Sequence, residues 1–195
     1  MLEGIYQTIT MGLAFAAFYG LDFSLIAFYA KQRKKSSWDI GYTLTGIGVA
    51  IGLSLQPMIL PMLGLHITAT WGLWLQGLGL VLLLGSLILQ IWARIHLGRF
   101  YAEGADVQPG HYVIDTGPYS YVRHPLFVSY MIFTLGIMCV TPATTTLAVV
   151  IYTCWDFSRA AEADERLLTQ QVQGYADYMK RVPRFIPRLW NRLAR

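Results

Sequence analysis

The stretch Tyr119-Ser120-Tyr121-Val122-Arg123-His124-Pro125 joins a polar segment directly to an apolar run that begins at Leu126. Proline suits the first turn of a helix, where no amide donor is needed, so Pro125 predicts a helix start. An arginine and a histidine at the mouth of an apolar helix are costly near lipid unless they face a cavity, a partner or a ligand. We therefore expect the rim of an active site at this junction, open to the cytoplasm.

The composition is that of an integral membrane protein. Of the 195 residues, 55% are hydrophobic and 13% are charged, and the mean hydropathy is +0.44. A soluble domain of this size does not carry so much apolar surface. The formal charge of +4 comes from lysines and arginines that flank apolar runs, whereas nucleic-acid binding needs a clustered basic face. We expect membrane lipids as partners and no nucleic acid.

Five apolar runs predict an all-α protein with five transmembrane helices, because a bilayer core takes roughly 20 residues. Three single helices come first, and the last two form a helical hairpin broken at Thr141-Pro142. The tail has apolar residues at helical spacing, which predicts a C-terminal amphipathic helix on the membrane or on the cytoplasmic face. The spans are residues 4–30, 40–65, 69–92, 126–140 and 142–157, and the apolar tail residues are Leu168, Val172, Tyr175 and Met179.

We interpret residues 1–195 as a single membrane domain with two parts. Residues 4–99 contain the three N-terminal transmembrane helices, and residues 100–195 contain a cytoplasmic loop, the hairpin and the C-terminal helix. With the N-terminus outside, all 15 lysines and arginines fall on the cytoplasmic side, as the positive-inside rule requires. Arg94 and Arg99 then mark the inner end of the third span, and Arg184 belongs to a basic edge along the tail.

Two features inside the predicted spans concern helix packing. Asp22 is an intramembrane carboxylate, which is either a functional group or a carboxyl hydrogen-bonded to a neighbouring helix. Gly48 and Gly52 are four residues apart, a spacing that lets transmembrane helices approach closely. The two cysteines, Cys139 and Cys154, lie in apolar runs and are interpreted as small buried side chains.

Polar groups on the cytoplasmic side offer candidate site residues. The run from His111 to Tyr119 favours extended backbone and ends at a Gly-Pro turn, so it can present backbone groups to a ligand. Arg159, Glu162 and Glu165 share one helical face, which is either part of a site or a salt-bridged solvent face. His111 and His124 are too few for a metal site, so we expect no metal.

At this point the residues resemble a known family. Tyr119–Phe127, read with His111–Gly117 and with the later Glu165, Tyr175, Tyr178 and Lys180–Pro183, is similar to the C-terminal signature of the isoprenylcysteine carboxyl methyltransferases and their phospholipid-methylating relatives. The resemblance covers about residues 111–195. It implies an integral membrane enzyme that uses S-adenosylmethionine, with S-adenosylhomocysteine as product, and closes a cytosol-facing cofactor pocket over a cavity open to lipid.

The resemblance also assigns roles to individual residues. Glu165 would hold a polar group of the cofactor, with Glu162 as the alternative if the register slips. The chain departs from the family at Asp164-Glu165, where a Glu-Glu pair is usual, and at Leu126-Phe127, where a small residue and Tyr are usual. The other residues expected to contact the cofactor are His111, Tyr112, Val113, Ile114, Tyr119, His124, Pro125, Leu126 and Phe127.

The expected chemistry depends on the acceptor. A carboxylate is already ionised at neutral pH, so Arg123 or Arg159 suffices as the catalytic group that orients it. An amine must lose a proton, which would make Glu162 or Glu165 the base. The acceptor expected is a lipophilic molecule that enters from the bilayer, best matched by the carboxylate of a prenylated cysteine, and the protein is expected to be a monomer.

Three alternatives stay open. One is a phospholipid amine N-methyltransferase, which shares the signature. Another is an NADPH-dependent membrane reductase of sterols or polyprenoids, since some of these enzymes also carry an Arg-His-Pro junction. The third is a membrane scaffold or transporter, in which a path would be lined by Asp22, Gln56, Gln76 and Gln90.

Overall fold

The computed structural model of the protein describes residues 4–30, 40–59, 62, 72–100 and 112–188. These residues are α-helical and contain no β-strand. Short 3-10 turns lie at Gly98–Phe100 and Gly117–Ser120. The six α-helices are α1 (Ile5–Ala30), α2 (Ile40–Ile59), α3 (Gly72–Leu97), α4 (Pro125–Val140), α5 (Thr144–Gln171) and α6 (Tyr175–Arg181).

Helix α4 lies at the centre of the bundle. It packs along α3 on one side and against α5 on another, while α1 packs against α2 and α3. Phe133 of α4 stacks on Phe18 of α1 with ring centroids 4.1 Å apart and meets Phe15 edge to face. The buried core is formed by residues of α1, α2, α3 and α4. It comprises Met11, Phe15, Phe18, Leu53, Leu83, Phe133, Ile137 and Val140.

Glycines allow α3 and α4 to approach closely. A Cβ atom on Gly79 would lie 2.8 Å from the Gly136 carbonyl oxygen, and one on Gly136 would lie 3.0 Å from the Leu83 side chain. The sequence-based prediction placed such a contact at Gly48 and Gly52 of α2. In the described residues no atom lies within 4 Å of a Cβ built at either position, so that prediction is wrong.

The bundle exposes large apolar side chains, including Leu13 at 66%, Trp74 at 84% and Val81 at 68%. By length and composition, Ile5–Leu25 and Gly72–Leu97 are each able to cross a membrane, while Gly46–Ile59 and Pro125–Val140 are shorter apolar helices. This surface suits a lipid environment. That the chain crosses the membrane five times stays a prediction.

The end of the bundle differs from the sequence-based expectation. The fifth span was predicted to end at residue 157, with a separate amphipathic helix after it, but α5 runs unbroken from Thr144 to Gln171. Gly174 then adopts a φ of +83°, a left-handed conformation that stops helical backbone. The tail beyond α5 folds back into a small cluster formed by Val172, Tyr175, Tyr178 and Val182.

Asp22 is hydrogen-bonded to neighbouring helices, the second of the two interpretations above. Gln90 donates to Asp22 Oδ1 at 2.9 Å, and the Tyr130 hydroxyl donates to Oδ2 at 2.8 Å. Arg94 forms an ion pair with the same carboxylate and is 2% exposed. Arg94 is therefore not a solvent-facing charge at the inner membrane surface, because its buried guanidinium pairs with a carboxylate, which offsets part of the cost of burial.

The close approach of α3 and α4 gives a first prediction. Gly79→Ala should lower the free energy of unfolding in detergent by about 1–3 kcal/mol, because the new methyl group overlaps backbone atoms of α4. Gly85→Ala on the same helix is the control, since no described atom lies within 4 Å of its Cβ position. Chemical unfolding followed by circular dichroism measures both variants, and equal stabilities would contradict the packing described here.

Candidate active site

A compact turn positions the polar junction. Tyr119 N–H donates to the Thr116 carbonyl at 3.2 Å, and Tyr121 N–H donates to the Pro118 carbonyl at 3.1 Å. Gly117 has a φ of +56°, and a Cβ there would overlap the His96 ring of α3. The Tyr119 side chain is buried in a cluster with Ala93 and Leu126. The turn is thus fixed against the polar end of α3.

Helix α4 begins at Pro125, as the sequence predicted. The two residues before it pair with the tail, since Arg123 N–H donates to the Pro183 carbonyl at 2.9 Å and His124 N–H donates to the Arg184 carbonyl at 3.3 Å. The buried His124 ring stacks on Phe127, with centroids 5.2 Å apart and ring planes parallel within 1°. The tail therefore forms one side of the junction.

The carboxylate of Glu165 joins these segments. Glu165 is 4% exposed and accepts hydrogen bonds from Arg123 Nε at 2.9 Å and from Arg184 Nη2 at 2.7 Å. The His124 Nε2 atom lies 3.1 Å from Oε1, so the ring carries its hydrogen there when the carboxylate is ionised. We call Glu165 and its three partners, Arg123, His124 and Arg184, the Glu165 cluster.

Two acidic pKa values in this region shift in opposite directions. Burial by itself would raise the pKa of the Glu165 carboxyl, but the hydrogen bonds from His124, Arg184 and Arg123 and the charge of Arg123 hold it well below its usual range. The pKa of Asp164 is raised, mainly by burial and also by the charge of Glu165, although the charge of His124 opposes the shift. Glu165 is therefore an ionised anchor across the physiological range.

Arg123 is held within the protein by more than Glu165. Its Nη1 atom also donates to the Met179 carbonyl at 3.0 Å and to the Val182 carbonyl at 2.5 Å. Arg159 lies elsewhere on α5, exposed, with its guanidinium 4.8 Å from the centre of the Trp155 ring. The two arginines predicted to orient an acceptor thus have different surroundings, and their catalytic roles stay predictions.

The predicted cofactor residues are brought only partly together. Tyr112 is exposed and meets the Phe100 ring edge to face at 5.0 Å. Val113 packs beside the tail cluster and Ile114 beside the Tyr119 cluster. His111 lies outside the described residues.

The remaining predicted residues surround the start of α4. Pro125 and Leu126 are buried, and the half-buried Phe127 lies between His124 and Phe157, whose ring centroid is 4.8 Å from its own. Glu162 is exposed and contacts Arg184 at 3.4 Å. The ligand-binding roles of Glu162, Pro125, Leu126 and Phe127 stay predictions.

Arg184 is the site residue that sequence reasoning missed. It was assigned to a basic edge along the tail, but it binds both carboxylate oxygens of Glu165, at 3.1 and 2.7 Å. Tyr178 adds a second link, since its hydroxyl donates to the Tyr119 carbonyl at 2.7 Å. Arg184 directly follows Lys180–Pro183, which belongs to the family signature quoted above. That position was the signal by which the sequence could have identified Arg184 as a site residue.

Neither the cysteines nor a metal cluster contributes to this site. Cys139 is buried as expected, but Cys154 is exposed, because its position on α5 faces outward. In the part of the chain that the structure describes, no group of three or more His, Cys, Asp or Glu side chains is arranged to hold a metal ion.

The lowered pKa of Glu165 predicts an acid dependence. Its carboxylate contributes stability above its ordinary pKa of 4.5, and that contribution is lost as the pH falls from there toward the folded-state value. The melting temperature in detergent should therefore fall between about pH 5 and about pH 3 by more in the wild type than in Glu165→Gln. Glu162→Gln, at an exposed position, is the control and should keep the wild-type dependence. An identical acid dependence in Glu165→Gln would contradict the assignment.

The chain is similar to known proteins in both sequence and structure. The profile of the isoprenylcysteine carboxyl methyltransferase (ICMT) family matches residues 78–170. The nickel-cobalt-cadmium resistance protein NccN of Alcaligenes xylosoxydans xylosoxydans is 31% identical over 102 residues, which are 51% of this chain and 44% of that protein. The protein-S-isoprenylcysteine O-methyltransferase of Xenopus laevis is 25% identical over 153 residues, which are 76% of this chain and 51% of that protein.

The chain thus spans about half the length, or less, of these relatives. Among solved structures, the eukaryotic intramembrane Ras methyltransferase ICMT superposes with a TM-score of 0.58 at 19% identity, covering 95% of this chain and 74% of that one. That likeness shows the fold. The matched segment contains α4, the Arg123-His124-Pro125 junction and Glu165, which the structure brings together at one end of the bundle. Over residues 78–170 the chain is therefore similar to the isoprenylcysteine carboxyl methyltransferase family, and its fold is that of the solved ICMT structure.

Proposed function

We propose that the protein is an integral membrane methyltransferase that transfers a methyl group from S-adenosylmethionine to the carboxylate of a lipophilic acceptor, best matched by a prenylated cysteine. The observation that carries the proposal is the Glu165 cluster, which gathers a buried polar group at the mouth of the apolar helix α4. A water-soluble donor and a membrane-bound acceptor can meet only at such a boundary. The names of relatives such as the Xenopus laevis enzyme supply the reaction class.

The residues at the junction fit the proposed cofactor in their chemistry. The half-buried Phe127 and Phe157 rings, stacked on each other, leave apolar edges accessible, against which an adenine ring can pack. Asp164, whose carboxyl is partly withdrawn from water, and the exposed Glu162 are acceptors for the amino and hydroxyl groups of such a molecule. When bound, S-adenosylmethionine supplies an electrophilic methyl group, and the chain supplies its orientation.

The state of Glu165 favours a carboxylate acceptor over an amine. A general base works best when its pKa lies near the working pH, but the hydrogen bonds to Glu165 keep its pKa far lower. Glu162 is exposed, and its carboxylate is already paired with the Arg184 guanidinium at 3.4 Å. A carboxylate acceptor needs no base, and bringing it to the donor in the correct geometry can supply roughly 7–11 kcal/mol of the barrier.

Arg159 is the better candidate for orienting that carboxylate. Arg123 is engaged with Glu165 and two carbonyl groups, whereas Arg159 stands at the end of an apolar face of α5 that exposes Ile151, Tyr152 and Trp155. A lipid chain lying along that face would bring its polar end toward the Arg159 guanidinium. The aliphatic part of arginine tolerates this apolar surrounding while its charge reaches water.

The proposal includes an orientation, with the N-terminus outside and the site in the cytoplasm. A cysteine introduced at Thr68 should be labelled by a membrane-impermeant thiol reagent in intact cells, because that residue falls in the predicted outer turn. A cysteine at Ser36 should be labelled only after permeabilisation, since it follows the basic residues of the inner surface. The unmodified protein, with its own Cys139 and Cys154, is the background control, and the reverse labelling pattern would contradict the orientation.

The acceptor is tested by methyl transfer from labelled S-adenosylmethionine. A farnesylated cysteine analogue should be methylated more than tenfold faster than the same analogue without its prenyl chain, a difference of at least about 1.4 kcal/mol. Arg159→Gln should slow the transfer without abolishing the binding of S-adenosylhomocysteine. Arg188→Gln, at an exposed position of the tail, is the matched control and should behave like the wild type. Equal rates on the two analogues would remove the lipid acceptor from the proposal.

Calorimetric titration of the same preparation separates this function from the other two classes. Binding of S-adenosylhomocysteine without binding of NADPH is the expected result. Binding of NADPH alone would indicate a membrane reductase, and binding of neither would leave a scaffold or transporter.

A further inference from the structure

The buried Asp22 network has no part in the proposed reaction as described so far. Asp22, Gln90, Arg94 and Tyr130 come from α1, α3 and α4, and the charged pair among them is almost inaccessible to solvent. Charged groups inside an apolar bundle are expensive to keep, and in membrane proteins they commonly serve a function. Asp22 lies in α1, outside the part of the chain that matches the family.

A row of rings connects this network with the Glu165 cluster. Tyr130 packs against Phe157 with centroids 5.3 Å apart, Phe157 stacks on Phe127 at 4.8 Å, and Phe127 stacks on His124 at 5.2 Å. We call Tyr130, Phe157, Phe127 and His124 the ring row. One end of the row is held by the Asp22 carboxylate, and the other end meets Glu165 at 3.1 Å.

The hydrogen bond from Tyr130 to Asp22 restrains the row. Tyr130, Phe127 and Phe157 are only half-buried, so packing alone leaves them freedom to change rotamer or to tilt. The Tyr130 hydroxyl donates to Asp22 Oδ2 at 2.8 Å, and Asp22 is itself fixed by Gln90 and Arg94. The Tyr130 ring is further confined by Phe18, which meets it edge to face at 5.0 Å.

We propose that Asp22 and Tyr130 are positioning residues that set the orientation of the His124 and Phe127 rings from inside the bundle. Tyr130 acts through Phe157, because that ring lies between it and Phe127. The inference rests on the proposed function, because it takes the cofactor to bind next to His124 and Phe127. Through this link, helix α1 contributes to a site whose other residues lie in the C-terminal half.

The first test reads the His124 ring directly, without a ligand. In protein labelled with ¹³C and ¹⁵N at histidine and held in detergent micelles, the His124 ring protons experience the ring current of Phe127. Tyr130→Phe, which removes a single hydroxyl group, should shift the His124 resonance by more than its linewidth. Tyr152→Phe is the matched control, because Tyr152 is an exposed tyrosine of α5 and should leave that resonance in place. An unchanged His124 resonance in Tyr130→Phe would overturn the inference.

The second test measures binding of S-adenosylhomocysteine. Tyr130→Phe should weaken the affinity by up to about tenfold, and Phe157→Leu should weaken it as well. If Tyr130 acts through Phe157, the double variant should bind no more weakly than Phe157→Leu alone. Additive losses would show that Tyr130 does not act through the ring row and would overturn the inference. If the wild type binds no S-adenosylhomocysteine, the proposed function fails, and the His124 resonance still decides the positioning role by itself.

Discussion

The buried carboxylate of Glu165 is the interaction on which the polar end of this protein depends. Its two oxygens accept hydrogen bonds from Arg123, His124 and Arg184, which belong to the junction before α4 and to the tail after α6. A buried charge is tolerated only when it is paired and its lone pairs are filled. The ion pairs therefore depend on one another. Loss of the Glu165 carboxylate would leave the Arg123 and Arg184 guanidiniums close together at the start of an apolar helix. This mutual need fixes the tail against the mouth of α4.

The same arrangement limits the chemistry that the site can perform. An acid group with a strongly lowered pKa holds its neighbours in place but is a weak base, so the chain is better equipped to position reactants than to move protons. Methyl transfer to a carboxylate requires only positioning, because the acceptor is already ionised and the donor already carries its positive charge. The apolar faces of α4 and α5 and the polar cluster at their end supply the two environments that such reactants need.

A second charged group lies inside the bundle, where Asp22 pairs with Arg94. The two polar centres are different in kind, since one joins the junction before α4 to the tail and the other is enclosed by α1, α3 and α4. Helix α4 contributes to both, through His124 at its start and through Tyr130 further along. Aromatic rings lie between them, and such rings bury large surfaces in defined pair geometries. The close crossing of α3 and α4 at Gly79 and Gly136 lies further along α4, toward its C-terminal end.

By itself the sequence determined the membrane character, the helical class and the start of α4 at Pro125. These follow from composition, from the length of apolar runs and from the fixed φ of proline, all of which are local. Only the tertiary structure decided that Arg94 points inward to a carboxylate 72 residues away, that Gly79 rather than Gly48 marks the close helix crossing, and that Arg184 closes the Glu165 cluster. An arginine next to an apolar run looks the same in sequence whether it faces water or a buried partner. The difference lies in which helix packs beside it, and that is set by contacts between distant parts of the chain.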